Sequence, residues 1–579
     1  MGTVARRLHI TCNMFVMVEG MSSMNGRVAS GTARPNVVWI STHDINPDLG
    51  AYAGVWPGAE YADTPALDAF ADESAVYEHA FASSPVCAPS RSAIMTGCHP
   101  SAIGTLPMRT KAVPPPEVRL VSEYFREAGY YTTCTRFTDF QVQTPPTAFD
   151  DCSDDAHWRN RPSADTPFFS AFHSSITHES RLYVSEEEFA SATADVPEER
   201  RHDPAGAPLP PYYPDTPVFR ETWARYADLV TAMDQWVGRI LDELEADGLA
   251  ENTIVVFWTD HGVGLPRAKR WIHEAGLRVP LILRWPGVVA PSRRTELVHT
   301  MDLAATMLTV CGLEVPAHMH SKSFLDANGI HLAPNDAVYG ARGRIDEQED
   351  ASLTVRDHRY RYIRHAHPDR SPMQHSAYPE RFATWRELRR LAFEDAKAIA
   401  RGEPAVHLTE TQRSTYLAGR SVEELYDLLA DPHELTNLVE DPAHTVTLAR
   451  LRLLLDEWQS KYADPWPVPE TELLERWRPE GRMQKTAQVT LTEADGELSV
   501  TCETPGASIG WTTQSPGPVR EATEVEVLIG SPPVDGRHWH LYSGAFRPEA
   551  DTIRFGAWRL GFDPSDEVLW ERPGAGSRS

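Results

Sequence analysis

The segment Cys87-Ala88-Pro89-Ser90-Arg91, followed by Thr96-Gly97, brings a thiol, a helix cap and a fixed cation together within five residues. Ser90 is a good cap for a helix over Arg91 to Met95, which sets residue 87 beside a helix N-terminus. The free N–H groups and positive dipole end there favour an anion. Arg91, in the first turn, can turn its fork of donors toward the same anion. A buried cysteine before a helix is often mere packing, but packing does not account for the proline, serine and arginine around this one.

Two further polar clusters follow apolar runs. Asn36 to Ser41 (NVVWIS) reads as a buried parallel strand that ends in Thr42-His43-Asp44. Thr253 to Thr259 (TIVVFWT) is a second continuous apolar strand, and Asp260-His261-Gly262 stands just past its carboxyl end. In open α/β sheets that edge is where ligands bind.

The elements between these clusters alternate. Thr64 and Pro65 open a helix as cap and first residue, with Leu67, Phe70 and Ala71 on one face. A long helix spans about Phe219 to Ala246, where Tyr226, Leu229, Val230, Met233, Val237, Ile240, Leu241 and Leu244 keep three-four spacing up to Gly248. Val279 to Leu283 is another buried strand, and Asp302 to Val310 a helix closed by Gly312. The expected organisation is an N-terminal extension (1–34), an α/β domain (35–334), a smaller α+β subdomain (335–464), a proline-rich linker (465–482) and a β-sandwich-like module (483–579). The module rests on short runs at Ala487–Leu491, Leu498–Thr501, Ile509–Thr512, Glu524–Leu528, His538–Tyr542 and Thr552–Trp558.

Lys plus Arg number 55 against 82 Asp plus Glu, a net charge of −27. A surface this acidic disfavours nucleic acid and anionic membranes as partners, so an anionic substrate must meet a local basic pocket. The seven cysteines are scattered, with no C-x-x-C pair and no pattern of a disulfide framework. No apolar run reaches the roughly 18 residues of a membrane span. Arg6 and Arg7 before Leu8–Val18 make a poor secretory leader, and a cytoplasmic location is favoured over a periplasmic or secreted one.

The residues from Cys87 to Gly97 resemble the signature C-x-P-S-R-x-x-x-x-T-G of the sulfatase family, in which a maturation enzyme oxidises the cysteine to formylglycine. The resemblance implies an alkaline-phosphatase-like α/β fold, with a large mixed, mostly parallel sheet between helices. It implies that the hydrated aldehyde attacks sulfur with one oxygen and later expels sulfate by collapse of the other, a step no serine could perform. It places a divalent metal, Ca2+ by family habit, among His43, Asp44, Asp260 and His261, with His43 a departure from the usual acid. Lys269, in the stretch Pro266 to Pro280, would bind the sulfate with Arg91, and His178 would touch the sulfate and protonate the leaving alcohol. The family's second active-site lysine is missing, since Phe137 stands in its place beside Arg136.

Ile103-Gly104-Thr105, Met108-Arg109 and Thr177 to Arg181 are similar to the polysaccharide and heparan N-sulfatase-like branch. The expected activity is therefore hydrolysis of a sulfate ester or N-sulfate on a carbohydrate. The alternatives are a phosphoester or phosphonate hydrolase of the same superfamily and a weakened, sulfated-glycan-binding relative. Trp56, Trp158 and Trp271 offer flat faces to sugars, but core packing is the ordinary role of tryptophan and none is assigned a subsite.

Overall fold

The computed structural model describes residues 34–135, 138–417, 419–517 and 536–573. The leader-like stretch at the N-terminus, Arg136, Phe137 and the run Glu524–Leu528 lie outside them. At the centre is an eight-stranded sheet of order β4-β3-β5-β1-β6-β7-β2-β8. Its strands are β1 (Asn36–Thr42), β2 (Ala75–Phe81), β3 (Tyr131–Thr135), β4 (Asp151–Ser153), β5 (Phe168–Ser174), β6 (Thr253–Thr259), β7 (Arg278–Arg284) and β8 (Ser292–His299). Only β7 is reversed in this sheet, pairing antiparallel with both β6 and β2. Strands buried on both sides read as unbroken apolar runs, and their side chains divide by the period of two. Val38, Ile40, Val255 and Phe257 join one core layer, while Val37, Trp39, Ile254 and Val256 join the opposite one.

Helices cover both faces, as a sheet apolar on two sides demands. Helices α1 (Pro65–Asp72), α2 (Cys87–Thr96), α3 (Val121–Glu127), α4 (Glu186–Ala192), α5 (Pro217–Ala246), α6 (Glu274–Leu277), α7 (Asp302–Val310) and α8 (Ala383–Ala400) follow in chain order. Leu67 and Phe70 of α1, Tyr226 to Leu244 of α5, and Trp385, Leu388 and Leu391 of α8 share the first layer; Ile94 and Met95 of α2, Phe125 of α3 and Leu303 to Val310 of α7 share the second. Helix α8 is an element that the sequence reading had not set out.

Two caps differ from expectation. Thr64 makes no side-chain cap to α1; instead Asp234 of α5 accepts from the backbone N–H groups of Ala66 and Leu67 at 3.1 and 2.7 Å. A carboxylate from a neighbouring helix thus answers the orphan donors of the first turn. Helix α2 starts at Cys87, not at Arg91: Val86 is the cap, in extended conformation. Ser90 is interior, and its hydroxyl donates to the carbonyl of Asp260 at 2.6 Å. A tertiary bond has taken the side chain that looked like a cap.

A second, four-stranded antiparallel sheet has the order β12-β11-β10-β9, built from β9 (Val338–Arg342), β10 (Ser352–Arg356), β11 (Tyr360–His365) and β12 (Glu423–Asp427). Glu274 at the head of α6 fastens it to the main sheet, with Oε1 3.3 Å from Arg356 Nε and 2.5 Å from Arg361 Nη2. Burial alone would raise this carboxyl, but Arg356, Arg361 and Arg278 outweigh it and lower it to about 2 from an ordinary 4.5. A group depressed in the folded state contributes its stability in full above its unfolded pKa and loses it as pH falls through the folded one. Glu274→Gln is thus expected to cost about 3–5 kcal/mol at pH 7, as broken buried ion pairs do. In denaturant titrations the gap between wild type and variant should stay constant above about pH 5 and close as the pH approaches 2.

Toward the C-terminus lie α9 (Glu410–Tyr416), α10 (Thr445–Tyr462) and α11 (Glu470–Trp477), the last inside the segment read as a linker. Two small antiparallel sheets follow. One pairs β13 (Val489–Ala494) with β14 (Glu497–Cys502); the other has the order β16-β15-β17-β18, from β15 (Ser508–Thr512), β16 (His540–Leu541), β17 (Thr552–Trp558) and β18 (Val568–Glu571). Leu498, Val500, Ile553, Phe555 and Trp570 form a core between them. Gly506, at φ 75°, lies so near the carbonyl of Pro116 that a Cβ would stand 1.9 Å from it, so only glycine lets this turn dock.

Candidate active site

Register brings the site together. Thr42 of β1 pairs with Ser174 of β5 on one side and Thr259 of β6 on the other, so three parallel strands end level. The residues just beyond are His43-Asp44, Ile176 to Glu179 and Asp260-His261. Asp44 adopts φ 53°, and its N–H donates to Asp260 Oδ1 at 3.2 Å. His43 Nδ1 lies 2.7 Å from Asp260 Oδ2. Since the carboxylate only accepts, this nitrogen carries the proton and orients Asp260. His261 Nδ1 meets the carbonyl of Gly262 at 2.9 Å, which by the same rule leaves a lone pair on Nε2. That lone pair faces Asp44 Oδ1 at 3.4 Å.

Asp44 Oδ1 is buried without a hydrogen-bond partner. Two electron-rich atoms facing each other with no proton between them suit a cation. Donor atoms of His43, Asp44, Cys87 and Asp260 all fall within 4.8 Å of one another. Carboxylates and imidazole together fit a divalent ion.

Cys87, first residue of α2, points its Sγ at His261 Nε2 from 3.2 Å. One turn on, Arg91 donates from Nε to the carbonyl of Thr138 at 3.0 Å and sets Nη1 3.0 Å from His173 Nδ1. The His173 ring packs edge-on against His43, centroids 4.4 Å apart. Lys269 Nζ bridges Asp44 Oδ2 at 2.8 Å and Glu179 Oε1 at 2.9 Å. Arg270 holds Glu179 in a two-pronged pair at 2.8 and 2.9 Å and reaches Asp346 at 3.2 Å. Gly264 makes room for this crossing: a Cβ there would stand 2.2 Å from Glu179 Cβ and 3.1 Å from Asp44 Oδ2. His178, with Nδ1 2.9 Å from Ser180 Oγ, turns its ring edge-on to His43 at 5.2 Å. All eight residues singled out from the sequence therefore converge on one centre.

The charges explain what this centre can do. Burial pushes the Cys87 thiol well up, and Asp260 and Asp44 add to it, while Lys269 opposes them. The thiol stays protonated at neutral pH, unlike cysteines that are themselves nucleophiles. Burial would raise Asp44, but Lys269, His178 and His261 hold its carboxyl down; His261 and His43 overcome burial for Asp260 in the same way. Lys269, disfavoured by burial, is kept charged by Asp44 and Glu179. Burial and Lys269 lower His178 to about 3, so its imidazole is neutral until an anion arrives. The result is a buried centre of paired carboxylates and cations around an unionised thiol.

Comparison with known proteins agrees with this geometry. Residues 35–313 match the family model for sulfatase, and residues 266–370 match one described as N-sulphoglucosamine sulphohydrolase, C-terminal. An ulvan-active sulfatase of Formosa agariphila is 34% identical over 577 residues, with 92% of this chain and 91% of that protein covered. The chain belongs to the sulfatase family. Human N-sulphoglucosamine sulphohydrolase is 28% identical over 295 residues, 48% of this chain and 56% of that protein. Among solved structures, a protein in complex with its substrate D-glucosamine-2-N,6-O-disulfate shares the sulfatase fold at a TM-score of 0.52 and 18% identity, over 75% of this chain and 99% of that one.

The sequence reading missed His173, Glu179, Arg270 and Asp346 as site residues. His173 is the last residue but one of an apolar strand, where a polar residue at a carboxyl edge was the available signal. Arg270 and Asp346 come together only in the fold. Trp158 and Trp271 are buried in the core layer under α5, as packing would have them.

Proposed function

We propose that this chain hydrolyses a sulfate ester or N-sulfate on a carbohydrate, through a formylglycine made from Cys87 by a separate maturation enzyme. The observation that carries the reading is the unionised thiol of Cys87, 3.2 Å from His261 and within the reach of Asp44 and Asp260. The names of the relatives support a sulfated carbohydrate as substrate.

Asp44, Asp260 and His261 would hold a divalent cation, which we take to be Ca2+, with His43 orienting Asp260 beside it; when bound, the ion would neutralise the sulfate oxygens and acidify the attacking hydroxyl. Formylglycine at position 87 supplies, through its hydrate, one oxygen for attack and another for later collapse. The remaining work falls to side chains. Lys269 and Arg91 bind the sulfate oxygens, and their fixed positions cost no reorganisation as charge builds. Asp44 and Glu179 keep Lys269 charged and aimed. A sulfate beside His178 raises its pKa, because an anion favours the imidazolium, and the proton then goes to the leaving oxygen.

Turnover of a panel of sulfated mono- and oligosaccharides by matured protein, against matched phosphate esters, tests the reading. Release of sulfate with far higher kcat/KM than phosphate is the expected result; preference for phosphate would replace it with a phosphohydrolase. Chelation gives an independent check. Stripping the ion with EGTA should lower Tm and abolish turnover, and Ca2+ at about 100 times its Kd should restore about 2.7 kcal/mol of stability. An unchanged Tm would count against the ion site.

A further inference from the structure

Among the described residues with left-handed backbone are Asp44, Arg109, Asp139, Arg270 and Asp346, at φ 53°, 52°, 42°, 77° and 51°. Such strain persists only where contacts enforce it, and it gathers at functional sites. Asp44, Arg270 and Asp346 belong to the network around Lys269. Arg109 and Asp139 have no task in the reaction as derived so far.

Their setting is built. Arg109 Nη2 lies 3.2 Å from Asp139 Oδ2, with Asp139 fully buried and a quarter of the Arg109 side chain exposed. Asp139 Oδ1 and Arg109 Nε are buried and have no hydrogen-bond partner. Met108 packs with Val86, the residue before Cys87, and with Ile345, the residue before Asp346. The N–H of Arg109 donates to Gln141 Oε1 at 2.7 Å. The carbonyl of Thr138 accepts from Arg91, so the loop bearing Asp139 is tied to α2 one turn beyond Cys87. Both residues stand close enough to sense the nucleophile: the Asp139 charge raises the Cys87 thiol, and a Cys87 thiolate would raise Arg109.

The pairing decides what can bind. A lone arginine suits an anion, but here a carboxylate neutralises it and offers an unpartnered acceptor beside its donors. A second sulfate or a uronate carboxylate would meet Asp139 Oδ1 and be repelled. A hydroxyl can donate to the carboxylate and accept from the guanidinium at once. We propose that Arg109 and Asp139 form a specificity subsite for a free ring hydroxyl of the sugar that carries the scissile sulfate. This deepens, and rests on, the reading of the chain as a carbohydrate sulfatase.

The test is a cycle between protein and substrate, using matured full-length protein, a sulfated sugar that it hydrolyses, and that sugar's deoxy derivatives at each ring position. With wild type, loss of one particular hydroxyl should lower kcat/KM on the order of 10^4- to 10^5-fold, since a site built for a hydroxyl rejects the analogue that lacks it. Asp139→Asn and Arg109→Lys should each lower kcat/KM on the intact sugar. With that deoxy derivative, each variant should cost little more than the missing hydroxyl already does. Additive losses would show that pair and hydroxyl do not touch, and would overturn the proposal. So would a wild type indifferent to every deoxy derivative, a result that needs no variant to fold. A wild type that cleaves an aryl sulfate but no sulfated sugar would overturn the carbohydrate reading together with this one; intact-sugar turnover with additive losses overturns this one alone.

Discussion

Cys87→Ala is expected to leave the protein folded and to lower kcat/KM on its sulfated substrate on the order of 10^6-fold, the scale set by removal of a nucleophile from a concerted catalytic group. The side chain is small, and among the described residues its Sγ makes one polar contact, with His261. Its removal should shift stability by about 1 kcal/mol, inside the common range for a point substitution. Cys87→Ser is the sharper variant. A seryl oxygen can attack once, but with no second oxygen on its carbon it cannot collapse to expel sulfate, so any turnover should stop after a single event per site. Burst kinetics with mass measurement of the protein would read this directly. Steady turnover by Cys87→Ser would show that the aldehyde chemistry is not used.

The second large effect is at Lys269. Lys269→Met keeps the length of the side chain and removes its charge, leaving Asp44 and Glu179 with one cation fewer at 2.8 and 2.9 Å. Breaking a buried pair from one side costs about 3–5 kcal/mol. The same change should lower kcat by about 10^2- to 10^3-fold, the cost of one donor aimed at a developing oxyanion. Adding Glu179→Gln to Lys269→Met separates the two roles. It removes a stranded carboxylate, so part of the stability should return in chemical denaturation, while kcat should not recover. If kcat recovers along with stability, Lys269 supports the fold and does not hold the sulfate.

Much of this site could be read from the chain because its chemistry is local. The Cys87 to Arg91 segment sits on one helical turn, and His43-Asp44 and Asp260-His261 each follow a short apolar run that reads as a buried strand. What could not be read depends on residues distant in sequence. The start of α2 was misplaced because the Ser90 hydroxyl is drawn to the carbonyl of Asp260, 170 residues away, instead of to its own helix. The cap of α1 comes from Asp234, 167 residues beyond Leu67. The reversal of β7 leaves no trace in an apolar run, whose burial is the same in either direction. Helix α8 did carry a signal in Trp385, Leu388, Leu391 and Ala392, but its weakly apolar face lies among many charges. The Arg109–Asp139 pair is set by two left-handed turns in loops, which residue types alone do not specify.

Residue 87 is expected to work as an aldehyde within reach of Asp44, Asp260 and His261. Mass spectrometry of the peptide containing residue 87, from protein produced together with a formylglycine-generating enzyme and matched to sulfate release by the same sample, tests it most directly. An aldehyde at position 87 and a rate that rises in proportion to the converted fraction are the expected result. A thiol retained in full by protein that turns over sulfate at its maximal rate would contradict it.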